Sequence, residues 1–358
     1  MELVSDLPHD VVRDCLIRVS YDQFPTIASV CKDWMVEVQL PEFHRLRRAA
    51  GRAQKLFVMA QSTAQPDRSL GLAAKCSVHP VHRLALHEPD TGDWQELPLP
   101  EGMSDGLPMF CRLAGVGSFL VLMGGWDPVT WKVSNSVFVY NFLSATWRRG
   151  VEMPGGPRTF FGCASDCDGG IVYVAGGHDD DKAALRSAMA YDVAKDEWVA
   201  LPDMARERDE CKAIFHAGKL RVIGGYCTDM QGRFERSAEV FDVGAGQWSR
   251  VEEDYLEAGR CPRTCVDVDD GAVYMCRGSD VVASREGGKW EAVAKLPAEV
   301  CNKAFAATWG SKLLVMGSAG FGQSYVAYVL DLRSKTWIKL ETPWKYSGHV
   351  QSGCYLEI

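Results

Sequence analysis

Long apolar runs are missing from this sequence. Phe119-Leu-Val-Leu-Met123 is strand length, well short of the roughly 20 residues that a membrane-spanning helix needs. The first residues are acidic and carry no apolar signal core, so neither a secretory leader nor a membrane partner is expected. Positive charge is also in deficit: Lys and Arg number 39 against 47 Asp and Glu, a net charge of −8. Nucleic-acid affinity rests on neutralising phosphates, so this balance argues against a nucleic-acid partner. There is no Gly-x-Ser-x-Gly elbow, no phosphate-cradling glycine loop and no dinucleotide fingerprint. No nucleophile stands beside a base. The expectation is a protein that makes and breaks no bond, is not an enzyme and holds no cofactor.

What the chain has in plenty is glycine, 34 residues, and tryptophan, 11. These point to many tight turns and a repeated aromatic position. Thirteen cysteines without a secretory leader indicate reduced thiols in the cytoplasm and/or nucleus. Several of them (Cys163, Cys211, Cys276) sit inside apolar runs, where a free cysteine acts as a small hydrophobe.

Self-similarity decides the fold. Trp94, Trp147, Trp198, Trp248, Trp290 and Trp337 recur at intervals of 42 to 53 residues. Most are followed by an apolar-Pro step, as at Leu97-Pro98, Met153-Pro154, Leu201-Pro202 and Leu296-Pro297. Seven residues before three of them stands an aromatic-Asp or aromatic-Asn pair: Tyr140-Asn141, Tyr191-Asp192 and Phe241-Asp242. Further upstream an apolar run ends in a double glycine, at Gly124-Gly125, Gly176-Gly177 and Gly224-Gly225. Each period holds four short strands. Six such periods predict a β-propeller, whose radial packing protects its sheet edges. The first period lacks a leading strand, while Ser352-Gly-Cys-Tyr-Leu-Glu-Ile358 looks like a leading strand with nothing after it. The C-terminus is therefore expected to complete the first blade.

The stretch before residue 48 has another texture. From Pro8 the apolar positions are Val11, Val12, Cys15, Leu16 and Val19, at helical spacing. A second helix is predicted around Phe24, Ile27, Ala28 and Cys31. A third would carry Trp34 and Val38 and stop at Pro41. So little chain with so much apolar surface leaves a face in need of a partner.

Two resemblances follow. Leu7-Pro8, the Val11/Cys15/Leu16 stripe, the Val30-Cys31-Lys32-Asp33-Trp34 run and Phe43-His44-Arg45-Leu46 resemble the F-box, although Tyr21-Asp22-Gln23-Phe24 departs from its leucine-rich pattern. Double glycine, Tyr-Asp and the spaced Trp together resemble the kelch repeat. The fifth and sixth copies depart from it, with Cys276-Arg277-Gly278 and Gly317-Ser318 in place of double glycine. The implied architecture is mainly β: a six-bladed kelch propeller over 56–358, a linker at 48–55 and a small all-α F-box at 1–47. An F-box followed by kelch repeats is typical of plants. The resemblance implies a non-catalytic substrate receptor that docks on a Skp-type adaptor and, through it, a cullin-RING ubiquitin ligase. Phe160-Phe-Gly-Cys-Ala-Ser165, Ala175-Gly-Gly-His-Asp179 and Leu201-Pro-Asp-Met-Ala-Arg-Glu-Arg-Asp-Glu-Cys-Lys212 are similar to a subgroup that targets phenylalanine ammonia-lyase, with type-B response regulators as clients of close relatives.

For the adaptor face the resemblance implies Leu7, Pro8, Val11, Cys15, Leu16, Phe24, Ile27 and Trp34. For the client, the loops at one propeller mouth offer Trp126, Trp131 and Tyr226, together with Arg158, Arg206, Arg208 and Arg263 near blade starts; Trp, Tyr and Arg are the types enriched in binding hot spots. Cys76, His79, His82 and His87 have ligand chemistry, but no second Cys pair accompanies them and they read as a loop rather than a metal site. Asp179-Asp180-Asp181 lacks the spaced pattern of a calcium loop and reads as an exposed acidic turn. Two rivals remain: a propeller oxidase, which would need convergent Tyr, His and Cys ligands in its channel, and a kelch scaffold without a ligase.

Overall fold

The computed structural model describes residues 8–63, 80–166, 169–268, 271–285 and 289–358. Leu7, Cys76 and His79 lie outside the described residues.

Helices α1 (His9–Leu16), α2 (Phe24–Val30), α3 (Lys32–Gln39) and α4 (Pro41–Ala49) open the described chain. That is one helix more than the sequence reading gave. Pro41 does not stop the helices: it occupies the first turn of α4, where its fixed φ suits the helix and its missing N–H costs nothing. The helical region consequently extends past residue 47, and only 50–54 separate it from the first strand.

Six four-stranded antiparallel sheets follow. In blade two the strands are Arg112–Val116, Phe119–Met123, Val137–Asn141 and Thr146–Gly150, from the channel outward. Blades three to six repeat this order. In blade one the innermost strand is the last of the chain: Val350–Glu357 pairs with Lys55–Ser62, from Lys55 opposite Glu357 to Gln61 opposite Val350. The six innermost strands neighbour one another in a closed ring.

The sequence signatures have physical causes. Every repeat Trp donates its indole N–H to a carbonyl of the preceding blade. Trp147 reaches Pro98 O, Trp198 reaches Val151 O, Trp248 reaches Pro202 O and Trp337 reaches Lys295 O, at 2.6–2.8 Å. Trp290 reaches Tyr255 O, and Trp94 spans the seam to Glu341 O of blade six. Each indole fills the gap between sheets and fixes their spacing. The aromatic-Asp pair ends the third strand: Asp192 Oδ1 accepts from the amides of Ala194 and Lys195, and Asp331 Oδ1 from those of Arg333 and Ser334. These are Asx turns, which replace the ladder bonds that a tight turn gives up. The double glycine is steric. A Cβ on Gly176 would lie 2.3 Å from Arg208 O, and one on Gly177 2.3 Å from Thr159 O.

The helices are packed onto the ring. One apolar cluster runs from Val12, Leu16, Phe24, Ile27, Val38 and Phe43 into Leu56, Val58, Leu84, Tyr140 and Phe142. Tyr21 meets Phe142 edge to face at 5.8 Å. Arg47, fully buried, donates to Ile17 O, Val19 O, Arg52 O and Ile358 O, and lies over the Phe24 ring. It joins the first helix, the last helix and the closing strand. Burial alone holds its pKa down at about 10.

Candidate functional site

Strand direction divides the propeller into two faces. The second strands begin, and the helices attach, where the innermost strands end. The opposite face carries the starts of the innermost strands and the loops between second and third strands. Adaptor and client candidates are therefore at opposite ends of the ring.

On the far face three repeats build the same device. The residue after the double glycine (Trp126, His178 or Tyr226) exchanges two backbone hydrogen bonds with the residue three before the start of the innermost strand (Met109, Thr159 or Asp209), at 2.7–3.1 Å. The next residue then takes a left-handed backbone: Phe110 at φ 60°, Phe160 at 54° and Glu210 at 52°. That conformation is costly for a side chain with a Cβ, and here it throws three side chains over the channel mouth. The result is a continuous arc. Trp131 contacts Trp126 at 6.3 Å, Trp126 contacts Phe110 at 6.4 Å, Phe110 contacts Phe160 at 4.4 Å and Phe160 stacks on His178 at 5.3 Å. His178 Nδ1 lies 2.8 Å from Asp209 Oδ2. The Tyr226 hydroxyl donates to Glu210 at 2.9 Å, and its ring meets Phe234 at 5.3 Å. Burial, with Asp209 and Glu210 nearby, pushes the Tyr226 pKa up.

Of the predicted client residues, Trp126, Trp131 and Tyr226 thus fall in one arc, with Trp131 exposed and Tyr226 largely buried. Arg206 is half exposed and already paired with Glu235 at 3.0 Å and Glu253 at 2.7 Å. Arg263 is exposed at the channel mouth.

Arg158 and Arg208 are a correction: neither faces a client. Arg208 is fully buried. It donates to Glu239 Oε1 at 3.0 Å, Gly224 O at 2.7 Å, and the carbonyl and hydroxyl of Ser237. Arg158 makes the same bonds in blade three, to Gly176 O and to Ser187 O and Oγ, but Met189 stands where blade four has Glu239. Burial lowers its pKa to about 10. Both guanidiniums lock the double-glycine strand to the third strand. Their position near a blade start suggested exposure; what buries them is the serine pair, far off in sequence.

Sequence reasoning missed Phe110, Phe160 and Glu210. A signal was present, since 110, 160 and 210 occupy one offset at a regular interval of the repeat.

The adaptor candidates divide. Leu16, Phe24 and Ile27 are buried in the cluster against the ring, so the structure does not put them on a presented face; Trp34 is half buried at its edge. Pro8, Val11 and Cys15 are exposed, as are Val30, Cys31 and Met35, which the sequence reading did not include. His82 and His87 do not converge. His87 stacks on Trp94 and lies 3.1 Å from Asp93 O.

The protein is thus a six-bladed propeller with a helical module on one end and an aromatic arc on the other. A model of the Kelch motif matches residues 111–154 and 159–205. The Arabidopsis thaliana F-box/kelch-repeat proteins At1g15670 and At1g80440 are 50% and 48% identical to this chain, each over 100% of both sequences. The F-box/kelch-repeat protein SKIP20 of the same plant is 28% identical over 97% of this chain and 94% of its own. The chain belongs to the F-box/kelch-repeat family.

Proposed function

We propose that this protein is the substrate-recognition subunit of an SCF-type ubiquitin ligase. The helices grip a Skp-type adaptor, and the far face of the propeller grips the client. The observation that carries this reading is the opposition of the two surfaces. Val11, Val30 and Met35 stay exposed on the helices although Leu16, Phe24 and Ile27 are spent on the ring. A helical cap serving only to cover the propeller would show the burial but would have no use for these exposed apolar side chains. At the other end Trp131, Phe110, Val129, Met230 and Phe321 are exposed on loops of the far face. Such a tether accelerates transfer by raising the effective concentration of client lysines near the charged enzyme, with no chemistry of its own. The client is phenylalanine ammonia-lyase, which would place the protein in control of phenylpropanoid metabolism, in the cytoplasm and/or nucleus. Type-B response regulators are the alternative client.

The test has two arms. Val11→Asp with Met35→Asp should abolish co-purification of the adaptor while leaving client binding intact. Trp131→Ala with Phe110→Ala should do the reverse. Retention of the adaptor by the first variant would remove the ligase role and leave a kelch scaffold. Phenylalanine ammonia-lyase that remains unbound to the intact protein, and undegraded on its co-expression, would overturn the client.

A further inference from the structure

The mouth of the channel on the far face opens into a cavity of about 120 Å³ on the propeller axis, lined from all six blades. Its walls are of two kinds. Phe110, Phe160, Phe161 and Phe305 supply ring surface, and Arg112, Lys212 and Arg263 supply positive charge. The one carboxylate in the lining, Glu210, accepts the Tyr226 hydroxyl. Among the described residues no carboxylate forms an ion pair with any of the three cations. Arg112 spends its Nε on Phe161 O, at 2.9 Å. The Lys212 amine makes no side-chain hydrogen bond among the described residues. It lines both this cavity and the one on the helix side, so it stands at the waist of the channel. Burial, and then the Arg112 charge, pull its pKa down, while Cys265, Cys163 and Asp267 only partly oppose them. A part-buried amine that shares its cavity with an unpaired guanidinium is a place that an anion would relieve.

The size restricts the anion. A dry cavity of about 150 Å³ holds one benzene ring, so about 120 Å³ is filled by a single ring, and a small charged group on that ring extends toward the neighbouring axial cavity of about 410 Å³ that Lys212 also lines.

We propose that the channel mouth binds a small aromatic carboxylate, its ring against Phe110, Phe160 and Phe305 and its carboxylate between Arg112 and Lys212. The ligand would form the floor of the client surface, because Phe110 and Phe160 belong both to the cavity and to the arc above it. The site stands without the helices, so it does not rest on the ligase reading.

Calorimetric titration of the full chain with benzoate tests this. The expected Kd is on the order of a millimolar, the range open to a ligand of about nine non-hydrogen atoms. Benzyl alcohol and acetate should bind at least tenfold more weakly, and inorganic phosphate should not displace benzoate. Lys212→Met should weaken benzoate at least tenfold and Lys212→Arg should restore it. Phe110→Ala, at an exposed position, should weaken benzoate with no change in thermal stability. No saturable benzoate binding, equal binding of acetate or phosphate, or unchanged affinity in both Lys212→Met and Phe110→Ala would each overturn the proposal. Adaptor co-purification is unaffected by any of these results, so failure here and failure of the ligase reading are distinguishable.

Discussion

The buried pair of blade four gives the sharpest test of how this ring is held. Arg208 and Glu239 are both fully inaccessible, 3.0 Å apart. Arg208→Met keeps most of the side-chain volume and removes the charge. Glu239 then keeps one strong donor, the Ala205 amide at 2.7 Å, and becomes a carboxylate alone in the core. The carbonyl of Gly224 and the hydroxyl of Ser237 also lose their donor. Removing one partner of a buried pair costs about 3–5 kcal/mol, mostly from the charge left behind. For a domain of this size that is a fall in Tm of roughly 6–10 °C. A buried lone carboxylate prefers its neutral form, so its pKa in the folded variant lies above the unfolded value. The folded state then binds the extra proton, and the variant should regain stability as pH falls from 7 toward 5. Arg208→Met with Glu239→Leu removes both charges and should recover most of the loss. Calorimetric scans of parent, single and double variants at both pH values are the assay. A single variant as stable as the parent, or one with no pH dependence, would refute the reasoning and return Arg208 to the surface role suggested by its place in the sequence.

Other expectations follow from the same geometry. Deleting 350–358 removes the innermost strand of blade one, exposes Phe57 and Met59, and should abolish cooperative unfolding and admit proteases. Phe24→Ala should cost about 3–5 kcal/mol, because its ring lies in the joint between helices and propeller; the denaturant midpoint measures it. Trp198→Phe loses the bond to Val151 O and should cost about 1 kcal/mol, visible as a small fall in Tm with the fold retained. Burial holds His82 neutral and lowers its pKa to about 4. The unfolded chain takes up that proton first, so stability should fall as pH drops from about 6.5 toward 4, and His82→Asn should flatten the acid side of the profile.

The periodic features were legible because each has a local cause. The repeat Trp, the Asx turn and the double glycine act within one blade or between neighbours, so they recur at fixed offsets. The α1 stripe was legible for the same reason. What could not be read was which of two apolar faces goes inward. Val11 and Val12 are adjacent and equally greasy; only the tertiary cluster that joins the helices to the propeller takes in the second and leaves the first exposed. Arg206 and Arg208 are separated in the same way. One meets Glu235 and Glu253 near the surface, and the other meets Glu239 in the core. Phe110 and Phe160 escaped because a lone aromatic before a strand carries no periodic signal until the repeats are superimposed.

The seam of blade one sets an order in time. Ser62 and His349, which hydrogen-bond across it, are 287 residues apart in the chain. At a synthesis rate of about 5–20 residues per second the second strand of that blade waits some 15–60 s for its inner neighbour. Throughout that interval the nascent protein exposes a bare sheet edge beside helices that have already emerged, which makes this a stage at which chaperone cover matters most.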